Sequence, residues 1–93
     1  MKAKIINNLK LSAEQMEVIT VGMRDYALVT FVNRGPGTVW ISYGKPAEID
    51  GQNSMDLLEN EWRTDSLGAF PELDIHILAE ESTRIVINIG VMS

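Results

Sequence analysis

Apolar and polar residues alternate most cleanly late in the chain, where Leu73, Ile75, Ile77 and Ala79 interleave with Asp74, His76 and Leu78, and Ile85, Ile87 and Ile89 with Arg84, Val86 and Asn88. A period of two places each set on one face of a strand, so both stretches are predicted as strands with one core face. The polar Glu80-Glu-Ser-Thr83 between them is short enough for a hairpin connection. A second β-rich region runs from Leu28 to Tyr43. Two runs of Val, Thr, Phe, Trp, Ile and Tyr flank Asn33-Arg34-Gly35-Pro36-Gly37, which predicts another hairpin. Along Tyr26–Val32 both faces are largely apolar, as in a strand covered on both sides.

The remaining pattern is β-like and short. Met16–Val21 carries β-branched residues throughout and predicts a strand, with Gly22–Asp25 as a connection. Residues 44–54 hold two glycines, a proline and several polar residues and predict a long loop; Met55–Leu58 and Glu61–Asp65 predict short strands. Ser66–Pro71 is a further break in which Phe70 can tuck inward as an anchor. Ser12-Ala-Glu-Gln15 matches a helix-capping spacing and predicts one helical turn. Residues 1–11 predict either an extended N-terminal arm or a short strand over 2–7, ahead of a single domain over 12–93. No segment carries a helix-length apolar period, so the expected fold is all-β: an antiparallel β-sandwich, jelly-roll-like, or a small barrel.

Composition narrows the function classes. The 93 residues suffice for one core. The absence of cysteine excludes disulfides, thiolate zinc sites and cysteine nucleophiles. A net charge of −5, with four lysines and four arginines scattered along the chain, argues against nucleic acid or an anionic membrane as partner. No apolar run approaches the about 20 residues of a membrane-spanning helix, and the first residues lack the apolar block of a signal peptide. The chain is expected to act in the cytoplasm or in a particle assembled there.

Candidate chemistry is sparse. His76 is the sole histidine, and Glu72, Asp74 and His76 alternate on one predicted strand face. The series Gly68, Asp74-x-His76-x-x-x-Glu80, Gly90 resembles the first metal motif of cupins with Asp in place of the first His. No second motif with another histidine follows, so a metal site has at most Asp74, His76 and Glu80, and a solvated strand face is the simpler account. A Ser-His-Asp hydrolase lacks its nucleophile elbow, and Gly35-Pro-Gly37 lacks the lysine and helix of a phosphate loop. Trp40, Tyr43 and Trp62 can form a sugar-stacking platform if they share a surface. No cofactor and no catalytic residue are assigned.

The stretch from Val29 to Val91 resembles small virion structural proteins of tailed bacteriophages. The residues that carry the resemblance are Val32-Asn33-Arg34-Gly35, the strand Val39–Tyr43 with Gly44, and the strand–turn–strand close from Leu73 to Ile87. The resemblance implies a non-enzymatic capsid-decoration (cement), head-fibre or tail-associated protein of the virion, working as a homo-oligomer, a trimer above all, on a larger lattice such as a major capsid protein. The partner-binding residues are then expected in the N-terminal segment and the long loop: Lys2, Lys4, Ile5, Ile6, Lys45 and Ile49. A carbohydrate- or receptor-binding sandwich and a degenerate cupin-like metal protein are the alternatives.

Overall fold

The structure is a computed structural model and describes residues 2–23, 26–67 and 70–92, with side chains over 9–20, 28–66 and 73–90. Eight strands form two four-stranded antiparallel sheets. They are β1 (Lys2–Leu11), β2 (Glu17–Met23), β3 (Tyr26–Asn33), β4 (Val39–Tyr43), β5 (Met55–Leu57), β6 (Trp62–Leu67), β7 (Phe70–Ala79) and β8 (Thr83–Met92). Sheet I has the order β1-β8-β3-β6 and sheet II the order β2-β7-β4-β5. Six of the seven connections change sheet, and only β4–β5 stays within one. This is an eight-stranded jelly roll, within the β-sandwich class expected from the sequence.

The sheet assignment corrects both predicted hairpins. β3 pairs with β6 and β8, whereas β4 pairs with β5 and β7, so residues 34–38 bridge the sheets instead of closing a hairpin. Likewise β7 and β8 lie in different sheets, and 80–82 is a second crossing. A polar turn between two amphipathic strands serves either geometry, because each strand needs only one face in the core. The predicted helical turn is also absent. Ser12–Gln15 is a tight turn with Glu14 at φ 57°, tied down by the Glu14 N–H donating to the Ala79 carbonyl at 2.8 Å. Of the two expectations for the N-terminus, residues 2–11 form the strand and not a free arm. They lie along β8 from Lys2 opposite Val91 to Leu11 opposite Thr83, with a bulge between Ile6 and Leu9. Gly68, and the side chain of Phe70, lie outside the described residues.

The core sits between the sheets. Val29, Phe31, Ile85, Ile87 and Ile89 of sheet I face Val39, Ile41, Leu57, Ile75, Ile77 and Ala79 of sheet II, all at most 3 % exposed. These are the alternate positions of their strands, as the period of two requires. Truncating any of these isoleucines to alanine removes three buried methyl or methylene carbons, at a cost of about 2–5 kcal/mol.

Asn33 fastens the crossing between β3 and β4. It is fully buried; its Nδ2 donates to the carbonyls of Gly37 (2.9 Å) and Leu57 (3.0 Å), and its Oδ1 accepts from the Gly35 N–H (3.2 Å) and the Thr83 hydroxyl (3.3 Å). One side chain thereby joins β3, β5, β8 and the crossing itself. Gly35 is required by close approach, since a Cβ there would overlap the Thr83 hydroxyl and lie 2.9 Å from the Arg84 nitrogen. Gly37, at φ +83°, is required by its backbone.

Candidate interaction surface

The registers determine which residues share the outer face of sheet I. Residues directly opposite on antiparallel strands point to the same side. The buried Val29 and Phe31 face the core, so Leu28, Thr30 and Val32 face outward, with Ser66, Thr64 and Trp62 opposite on β6 and Gly90, Asn88 and Val86 opposite on β8. These nine positions form a three-by-three grid without a single charged residue. Trp62 is 70 % exposed in the row Trp62–Val32–Val86, and Leu28 is 38 % exposed four residues away along β3. Thr30 and Thr64 satisfy each other across the strands, their hydroxyl oxygens 2.9 Å apart.

At one end of this grid the outer face turns basic. Lys10 and Arg84 are directly opposite in the β1–β8 register, and the Arg34 N–H donates to the Arg84 carbonyl at 2.9 Å, which brings Arg34 alongside. The three cations line a shallow cleft of about 560 Å³ with Ser12, Ser82 and Thr83, and no acidic residue lines it. Among the described residues none of the three cations makes an ion pair; the one pair joins Arg63 to Asp65. Sequence reasoning found no cationic cluster because Lys10, Arg34 and Arg84 stand 24 and 50 residues apart and meet only through the β1–β8–β3 order.

The outer face of sheet II has the opposite character. Ile75, Ile77 and Ile41 point inward, which leaves Asp74, His76, Leu78, Trp40, Ser42, Val18, Thr20 and Asp56 outward, with Glu80 following on the same side of β7. Asp56, Asp74 and Glu80 are exposed. The loop 44–54 folds over part of this face. The Ala47 N–H reaches the Met16 sulfur at 3.3 Å, Ala47 is buried outside the main core, and Ser42 is only 2 % exposed although it points away from the core. Lys45 is exposed on this loop and Ile49 half-buried, while Glu48 and Asp50 add two exposed acids. The side chains of Lys2, Lys4, Ile5 and Ile6, the other expected partner-binding residues, lie outside the described residues.

The candidate sites read from the sequence do not assemble. Trp40 is on the outer face of sheet II, its indole N–H donating to Glu80 at 3.2 Å; Trp62 is on the outer face of sheet I. Tyr43 points between the sheets, 6.4 Å from the Phe31 ring. Two tryptophans on opposite outer faces and a tyrosine between the sheets make no stacking platform. Asp74 and His76 do share a face, yet Asp74 accepts from Thr20 at 2.6 Å and Glu80 from Trp40, and among the described residues no three metal-ligating side chains converge. Among the described residues the buried Nδ1 of His76 has no hydrogen-bond partner.

A polar latch closes the side of the sandwich between β4 and β6. The Tyr43 hydroxyl donates to Asp65 at 2.6 Å, and the Arg63 Nε donates to the same carboxylate at 3.0 Å. Burial, reinforced by the hydrogen bond and the negative charge of Asp65, pushes the Tyr43 pKa well above that of a free tyrosine, so the phenol remains a donor. Arg63 and Asp65 face inward on edge strand β6, opposite Phe31 and Val29. Among the described residues no helix is long and apolar enough to cross a membrane. No protein-family model matches the chain, and no curated protein or solved structure matches it.

Proposed function

We propose that this protein is a non-enzymatic structural component that works by self-association, in the manner of a virion protein built onto a larger protein lattice. The observation that carries the reading is the uncharged grid on the outer face of sheet I. Nearly a quarter of the chain is charged and its net charge is −5, so two copies repel wherever like charges meet. The grid centred on Thr30 is a face on which such copies can approach without that cost, and Trp62 supplies the large exposed aromatic that anchors many interfaces. The jelly roll is compatible with this role, being shared by capsid proteins, lectins and cupins; the fold alone does not choose among them. The separation of Trp40, Tyr43 and Trp62 takes away the basis for a sugar platform, and the engagement of Asp74 and Glu80 with Thr20 and Trp40 weakens the metal alternative.

The test is the solution mass by light scattering through a dilution series, for the natural chain and for Trp62→Glu. A closed oligomer that Trp62→Glu converts to monomer, with an unchanged β-type circular dichroism spectrum, is the expected result. A natural chain that stays monomeric at every concentration would overturn the reading.

A further inference from the structure

We infer that copies of this protein associate head to tail, the outer face of sheet I of one copy lying against the outer face of sheet II of the next. The inference rests on the self-association proposed above and specifies its geometry. Sheet I carries the row Arg34–Arg84–Lys10 beside its uncharged grid, with no acid among its described outward strand positions. Sheet II carries Asp56, Asp74 and Glu80, with Glu48 and Asp50 on the loop above it and, among the described residues of this face and loop, Lys45 as the single base. A protein with eight bases and thirteen acids has thus gathered three bases on one side of the sandwich and five acids on the other.

The arrangement within sheet I has a cost that folding alone does not repay. Lys10 and Arg84 are like charges directly opposite on neighbouring strands, a placement that destabilises a sheet. Neither has an ion-pair partner among the described residues, and both open onto a cleft roomy enough to admit carboxylate side chains. An acidic face from a neighbouring copy supplies those carboxylates. Two sheet I faces meeting about a twofold axis would instead leave these cations without carboxylates from sheet II, and would bring six cations together wherever the basic ends overlap. Because the two contact faces are different surfaces, the contact is heterologous and propagates from copy to copy; it ends in a closed ring or continues as an open string according to the rotation between neighbours.

Charge reversal separates the geometries by sign. In a head-to-tail contact, Lys10→Glu/Arg84→Glu weakens association at least about tenfold, since acids then face acids, and Asp56→Lys/Asp74→Lys weakens it similarly. A chain carrying all four substitutions has both faces reversed and regains association. Analytical ultracentrifugation of the three variants, with thermal melts to verify folding, reads each outcome. Association that strengthens in Lys10→Glu/Arg84→Glu and ignores Asp56→Lys/Asp74→Lys would overturn the head-to-tail geometry in favour of a twofold sheet I contact, with self-association itself intact. Failure of the fourfold variant to recover while remaining folded would also overturn it. A monomeric natural chain would instead remove the self-association on which the inference rests.

Discussion

Asn33 uses both side-chain donors and both acceptor positions, and each of those four bonds ends on a different residue. Alanine at this position leaves two carbonyls, one amide and one hydroxyl short of a partner in buried or half-buried surroundings. The expected loss is about 3 kcal/mol, read from urea midpoints; Asn33→Asp also destabilises, because a carboxylate oxygen replaces the donor facing the carbonyls of Gly37 and Leu57. Tyr43 gives a prediction in pH. A pKa raised by folding means that the folded state favours the protonated phenol, so this stabilisation is complete below the free tyrosine value of about 10 and is lost as pH rises above it. Tyr43→Phe should lower stability by about 2 kcal/mol near neutral pH, where the bond to Asp65 is present. The same variant should show a shallower alkaline decline than the natural chain; parallel declines would remove Tyr43 as a source of the pH dependence.

At the scale of strands, the β-rich run located β3 to within one residue and the period-two patterns located β7 and β8 to within three, β7 beginning at Phe70 inside the expected break and β8 running on to Met92. The partners of each strand were not legible. Alternation tells a strand that one face is buried, and the same alternation serves whether the next strand lies beside it or across the core. Asn33-Arg34-Gly35-Pro36-Gly37 suits a hairpin or an arch equally by its turn chemistry; what makes it an arch is that Asn33 bonds to Leu57 and Thr83, residues far along the chain. The cationic row was hidden for the same reason, since Lys10 and Arg84 are neighbours only through register. Edge strands carry their own signature. Arg63 and Asp65 point inward on β6, and inward charges deter another strand from pairing with that edge. Arg63→Val is expected to leave the fold intact and to lower the concentration at which turbidity develops on mild heating; an unchanged threshold would show that Arg63 serves the latch alone.

Taken whole, the molecule has two unlike sides: sheet I uncharged to basic, sheet II acidic and partly covered by loop 44–54. Its net charge of −5 conceals this polarity, which depends on six connections that change sheet. Raising the ionic strength should weaken association through the charged row, because exposed charges are screened beyond about 8 Å at physiological salt, while the contact centred on Trp62 should be retained. A sedimentation series in sodium chloride measures the two contributions, and complete insensitivity to salt would leave the apolar grid as their only source. The central place of β8 has a different consequence. This strand lies between β1 and β3, so Lys2–Leu11 has no neighbour in sheet I until residues 83–92 arrive, and every backbone bond of β1 spans much of the chain. During synthesis β1 must therefore wait, unpaired, until residues 83–92 have been made, and folding is expected on the slow millisecond-to-second scale of proteins dominated by distant contacts.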